Sequence, residues 1–135
     1  MHEVDSPAGR LVTFRVVRPA DDANAEGAAR ALRAAVMAVR GPAIICSDVT
    51  QARTFSEQTA QRFIMLMKAD NPKIERSAML LDPTSATYAL QVERMVHEAG
   101  NPARRVFRDA RLLQEWLRPV LSAEEEHALR MFLRQ

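Results

Sequence analysis

Cysteine is almost absent: Cys46 stands alone among 135 residues. An internal disulfide is thereby excluded, and such scarcity suits a reducing compartment. Cys46 falls in the apolar run Ala43-Ile44-Ile45-Cys46, where it reads as a small core residue rather than a reactive thiol. Histidine is also scarce. His2, His97 and His127 have no paired ligand spacing, so no metal site is expected. His97 and His127 read as solvent-facing helix positions. The four glycines form neither a Gly-x-Gly-x-x-Gly turn nor a Walker-type loop, which argues against a nucleotide cofactor. No Gly-x-Ser-x-Gly elbow is present. Ser47 and Ser56 have no histidine nearby in sequence, so no catalytic residue and no cofactor are assigned.

Long apolar runs are missing too. None approaches the roughly 20 residues of a membrane span. The opening Met1-His2-Glu3-Val4-Asp5-Ser6-Pro7 is polar and mixed in charge, unlike a signal peptide. A cytoplasmic protein is the expectation. Nor is there a block of like charge. Nineteen basic residues face 17 acidic ones, for a net charge of +2, and Lys68 and Lys73 are the only lysines. That balance argues against a dedicated nucleic-acid surface.

What is present suits one domain. With 47% hydrophobic residues, a chain of this length buries a core without metal or disulfide. Residues 1–10 read as a flexible leader and 11–135 as the domain. Leu11 to Arg18 is β-branched and strand-like, ended by Pro19. Asp21 and Asp22 offer caps for an alanine-rich helix to Arg40, stopped by Gly41-Pro42. Ala43 to Val49 suits a buried central strand. A second helix starts near Ser56, with Thr54 or Ser56 as cap; Thr54 and Glu57 have capping-box spacing. It ends before Asn71-Pro72. Ile74 to Asp82 forms a third strand. Asp82-Pro83 reads as the start of a third helix running to Gly100. Arg104 to Arg108 is a short fourth strand. Asp109 and Ser122 cap two last helices, a C-terminal helical extension. The order β-α-β-α-β-α-β-α-α implies an α/β fold with four strands, mainly parallel, and about five helices.

Two features carry functional expectation. The bend from Asp48 to Glu57 leaves the carboxyl end of a central strand and enters a helix, where open α/β sheets tend to place their sites. Arg53, Thr54, Ser56 and Glu57 lie in it; plain capping chemistry is the competing reading. The run Phe63-Ile64-Met65-Leu66-Met67 is apolar at five consecutive positions. Consecutive helical residues are about 100° apart, so one face cannot bury all five. Either the helix is packed on both sides, or it meets a partner or a second copy in a homodimer.

Element order, the aspartate closing the second strand and the helix-start bend resemble the STAS domains, the fold of bacterial anti-sigma factor antagonists. The branch related to lipid-binding CRAL-TRIO domains is especially similar. The likeness spans roughly residues 11–117 and includes Val106-Phe107-Arg108-Asp109, Leu112 and Trp116-Leu117. It implies a regulatory domain that works by protein–protein interaction. In the antagonists an Asp-Ser pair opens the helix, and its serine is phosphorylated by a partner kinase. Asp48 matches the strand-end position. Ser56-Glu57 stands where that pair falls, so Glu57 occupies the phosphorylatable place and Thr54 or Ser56 is the substitute hydroxyl.

The leading expectation is a non-enzymatic regulatory or scaffolding domain. Its protein partner would meet Arg53, Thr54, Ser56, Glu57, Phe63, Ile64 and Met67. The alternative is a carrier for a small apolar ligand or lipid, and an enzyme with a spatially assembled site ranks below both.

Overall fold

The computed structural model describes residues 2–17 and 21–134. Its strands are β1 (His2–Ala8), β2 (Leu11–Val16), β3 (Ala43–Asp48), β4 (Ile74–Leu80) and β5 (Arg104–Phe107). Its helices are α1 (Asp22–Ala38), α2 (Glu57–Asp70), α3 (Ala86–Ala99), α4 (Ala110–Leu117) and α5 (Ala123–Leu133). The five strands lie in sequence order, β1-β2-β3-β4-β5. β2 to β5 are parallel, and β1 runs antiparallel to β2.

The domain is therefore α/β with a mainly parallel sheet, but with five strands instead of four. The extra strand corrects the reading of residues 1–10 as a leader. His2 pairs with Val16 and Ala8 with Leu11, with a register shift between Asp5 and Ala8. Pro7 sits in that shift on an edge strand, the one place in a sheet that tolerates a missing N–H. Pro19, expected to end the strand before it, lies outside the described residues.

Successive crossovers advance across the sheet in one direction. With the near-universal right hand, that puts α1, α2 and α3 on one face. The packing agrees. Val12, Phe14, Ile45 and Val49 gather with residues of α1 and α3. Leu11, Ile44, Cys46 and Ala78 point the other way, onto Leu113, Leu117 and Leu129 of α4 and α5. The two C-terminal helices are thus no appendage. They cover the second face, which a parallel sheet must bury.

Local chemistry sets the boundaries. Asp21 caps α1 by accepting from the Asn24 N–H at 2.9 Å. Gly100, at φ +73°, ends α3 in the left-handed conformation that favours glycine. The expected helix start at Asp82-Pro83 is corrected. Asp82 spends its carboxylate on Thr84, accepting from the backbone N–H at 2.9 Å and from Oγ1 at 2.8 Å. This is a side-chain turn, and α3 begins at Ala86.

Candidate partner-binding site

The bend opens at Asp48, whose carboxylate is fully engaged. One oxygen accepts from Thr50 N–H at 3.1 Å and Thr50 Oγ1 at 2.7 Å. The other pairs with Arg15 Nε at 3.1 Å. Arg15 in turn donates to the Phe132 carbonyl at 2.6 Å and lies 4.1 Å over the Phe132 ring. The strand-end aspartate therefore ties β3 to β2 and α5.

The bend is fixed from beneath. Phe55 N–H donates to Gln91 Oε1 at 3.2 Å, and Gln91 Nε2 donates back to the Phe55 carbonyl at 2.8 Å. The Phe55 ring packs edge-on against Phe63 at 4.8 Å and against Tyr88 at 6.3 Å between centroids. Over this base Arg53, Thr54, Ser56 and Glu57 all face solvent.

Ser56 is the helix cap, its Oγ accepting from Thr59 N–H at 3.2 Å. Its own N–H donates to the Asp22 carboxylate at 3.2 Å. Hydrogen bonding by Ser56 holds the Asp22 carboxyl below its usual range. Glu57 does not close a capping box with Thr54. It pairs with Arg94 of α3, at 2.7 and 2.9 Å to its two oxygens. Hydrogen bonds from Arg94, then Gln61, hold its carboxyl low. Both groups are solvated, so the pair contributes little to stability.

In the apolar half of the expected contact set, Ile64 is corrected. Ile64 is 2% exposed, in a cluster with Ala60 and Met95. Phe63 and Met67 are half-buried and line a cavity beneath α2. Met65 alone of the five-residue run is well exposed, at 67%. The helix is packed on two sides within the chain, against α3 and over the sheet face, and this absorbs the residues that one stripe would leave in water.

That cavity holds about 190 Å³ between the sheet and α1, α2 and α3. Small side chains create it. Ala25, Ala28 and Ala29 of α1 line it, as do Ser47 and Ser77 of the sheet.

Other chemistry is sparse. Among the described residues no group of three histidine, cysteine or acidic side chains is placed to hold a metal ion. Cys46 is fully buried, and burial pushes its thiol up. His97 and His127 are exposed. Sequence reasoning missed Gln91 and Arg94. They lie 36 and 37 residues from their partners, beyond any local pattern.

No protein-family model matches the chain, and no curated protein matches it. A solved structure does. It is an uncharacterised protein of the DUF3478 family from Shewanella loihica PV-4, described as having a SpoIIAA-like fold. It is 17% identical, with 86% of this chain and 93% of that one covered and a TM-score of 0.59. The fold here is thus SpoIIAA-like, which is the STAS-like fold. No helix among the described residues is long and apolar enough to cross a membrane.

Proposed function

We propose that the chain is a non-enzymatic regulatory or scaffolding domain that binds a protein partner through the bend at residues 48–57 and the exposed start of α2. One observation carries this reading. The bend is clamped from below by Gln91 and the Phe55 ring, while Arg53, Thr54, Ser56 and Glu57 are left in solvent. A surface held in one conformation before contact loses less entropy on binding.

The resemblance to anti-sigma factor antagonists supports the same bend. Where those proteins carry a phosphorylatable serine, Glu57 supplies a permanent negative charge. Thr54 and Ser56 are the hydroxyls open to modification. A phosphate on Ser56 would stand beside Asp22 and Glu57 and repel both, loosening the contact between α1 and α2. The lone buried Cys46 fits a reducing cytoplasm, and the resemblance points to a bacterial setting. Exposed Met65 and Leu90 are single apolar positions among charged and polar neighbours. We therefore favour a different protein over a second copy as the partner.

The test is affinity capture with the full chain as bait, wild type against Arg53→Glu/Ser56→Asp. Aspartate keeps a cap acceptor, so folding is retained. Recovery of the partner is expected to fall about tenfold or more. It is expected to stay unchanged with His127→Glu on the opposite face. Equal recovery with the bend variant would contradict the proposal.

A further inference from the structure

The apolar cavity calls for an occupant of its own, whatever meets the bend. Protein interiors leave few voids larger than a water molecule, yet about 190 Å³ is open here. An engineered cavity of about 150 Å³ takes up benzene, so the volume suits a small organic molecule and excludes a whole two-chain lipid. Its shape is elongated. The floor along β3 includes Ile45, Ser47 and Val49, a span of about 13 Å at 3.3 Å per strand residue. Exposed His2 and Arg53 line it where the parallel strands end, which gives a route in from solvent.

The other end is charged. Strand register places Ile45, Ser77 and Arg104 in one row across the sheet, and all three line the cavity. Arg104 Nε donates to Asn71 Oδ1 at 2.9 Å and one Nη to the Met67 carbonyl at 3.1 Å. Its other Nη has no partner, and no carboxylate forms an ion pair with it, among the described residues. The neighbouring acid, Asp70, is held by Arg33 Nε at 2.9 Å. Arg104 thus stands near a carboxylate that another guanidinium already holds, at the end of the apolar space away from His2 and Arg53. Burial disfavours the charge on Arg104, and Asp70 offsets it only in part. An unpaired charge in such surroundings is costly, and guanidinium matches a carboxylate in geometry as well as sign.

We infer that this cavity binds a monocarboxylate with a medium-length acyl tail, its tail along the β3 floor and its carboxylate at Arg104. The inference does not rest on the bend as a partner surface, and its test involves no partner.

Methionine methyl groups supply both probe and control. Met67, Met79 and Met95 line the cavity, whereas Met37, Met65 and Met131 are exposed at 54%, 67% and 45%. The full chain, labelled with carbon-13 at methionine methyls, is titrated with octanoate and separately with methyl octanoate. Octanoate is expected to shift the three cavity methyls saturably and leave the three exposed ones in place. Methyl octanoate is expected to bind about tenfold or more weakly. Arg104→Gln is expected to weaken octanoate by a similar factor and spare the ester. Ala28→Leu, whose folding is read from the same spectra, fills the void and is expected to abolish the shifts. No saturable shift at millimolar octanoate would overturn the inference. So would shifts spread over the exposed methyls, an ester that binds as tightly as the acid, or binding that survives in folded Ala28→Leu. If Arg104→Gln fails to fold, the comparison of acid with ester decides alone.

Discussion

Asp48 shows how a residue in a suggestive place can be committed elsewhere. A carboxylate at the carboxyl end of a central strand invites a functional reading. Here its oxygens hold Arg15 and Thr50, and its side chain is only 14% exposed. Removing it takes a charged partner from Arg15, itself 12% exposed. Asp48→Ala is expected to lower stability by about 1–3 kcal/mol, read from urea denaturation. An unchanged midpoint would show that the pair contributes nothing. The hydroxyl and acidic residues of the bend were legible as a set from the sequence, because a cluster of Thr, Ser and Glu before an apolar helix has a capping meaning. Which one caps was not, since Thr54 and Ser56 both fit. Glu57 is decided by Arg94 on another helix, and no local spacing reveals that.

Among the elements, the long periodic ones were the easiest to read. β3 and the helices α1, α2, α4 and α5 lie close to where apolar period and caps place them. β1 was hidden because it is an edge strand, mostly exposed, and carries Pro7. An edge strand's pairing depends on the neighbour's free N–H and C=O groups more than on its own side chains. That α2 is packed on both sides was one of two readings open for Phe63 to Met67, and the choice was hidden, since the second surface against which α2 packs comes from α3. At α5 the pattern was complete. Ser122 and Glu125 form the capping box, and Glu125 also accepts from the Arg10 N–H at 2.6 Å. Burial alone raises this carboxyl, but the N–H groups of Ser122 and Arg10 outweigh it and hold Glu125 below its ordinary 4.5. A carboxyl lowered on folding stabilises the native state above that ordinary value and loses the contribution as pH falls below it. The stability gap between wild type and Glu125→Gln, measured in urea, is thus expected to be largest near neutrality and to shrink on acidification. A gap that stays constant with pH would rule out the charged form as the stabilising one.

At the scale of the whole molecule, the sheet separates two kinds of packing. On one side α4 and α5 close tightly over Leu11, Ile44 and Cys46. On the other, α1, α2 and α3 bridge a cavity and frame the bend at the ends of the parallel strands. The ties of α1 to α2 run through polar contacts, Asp22 to Ser56, Glu26 to Arg62 at 2.5 Å and Arg33 to Asp70, whereas α2 meets α3 through Ala60, Ile64 and Met95. Fold class was readable because strands and helices alternate. The cavity was not, because a void is a property of which small residues meet, and sequence distance hides that. The central claim is that the bend is the face presented to a protein partner. Its most direct measurement is site-specific photo-crosslinking in cells, with the reactive side chain placed at Thr54 and, as control, at His127 on the opposite face. The account predicts one discrete protein adduct from position 54 and none from position 127. The same adduct from both positions, or none from position 54, would contradict it.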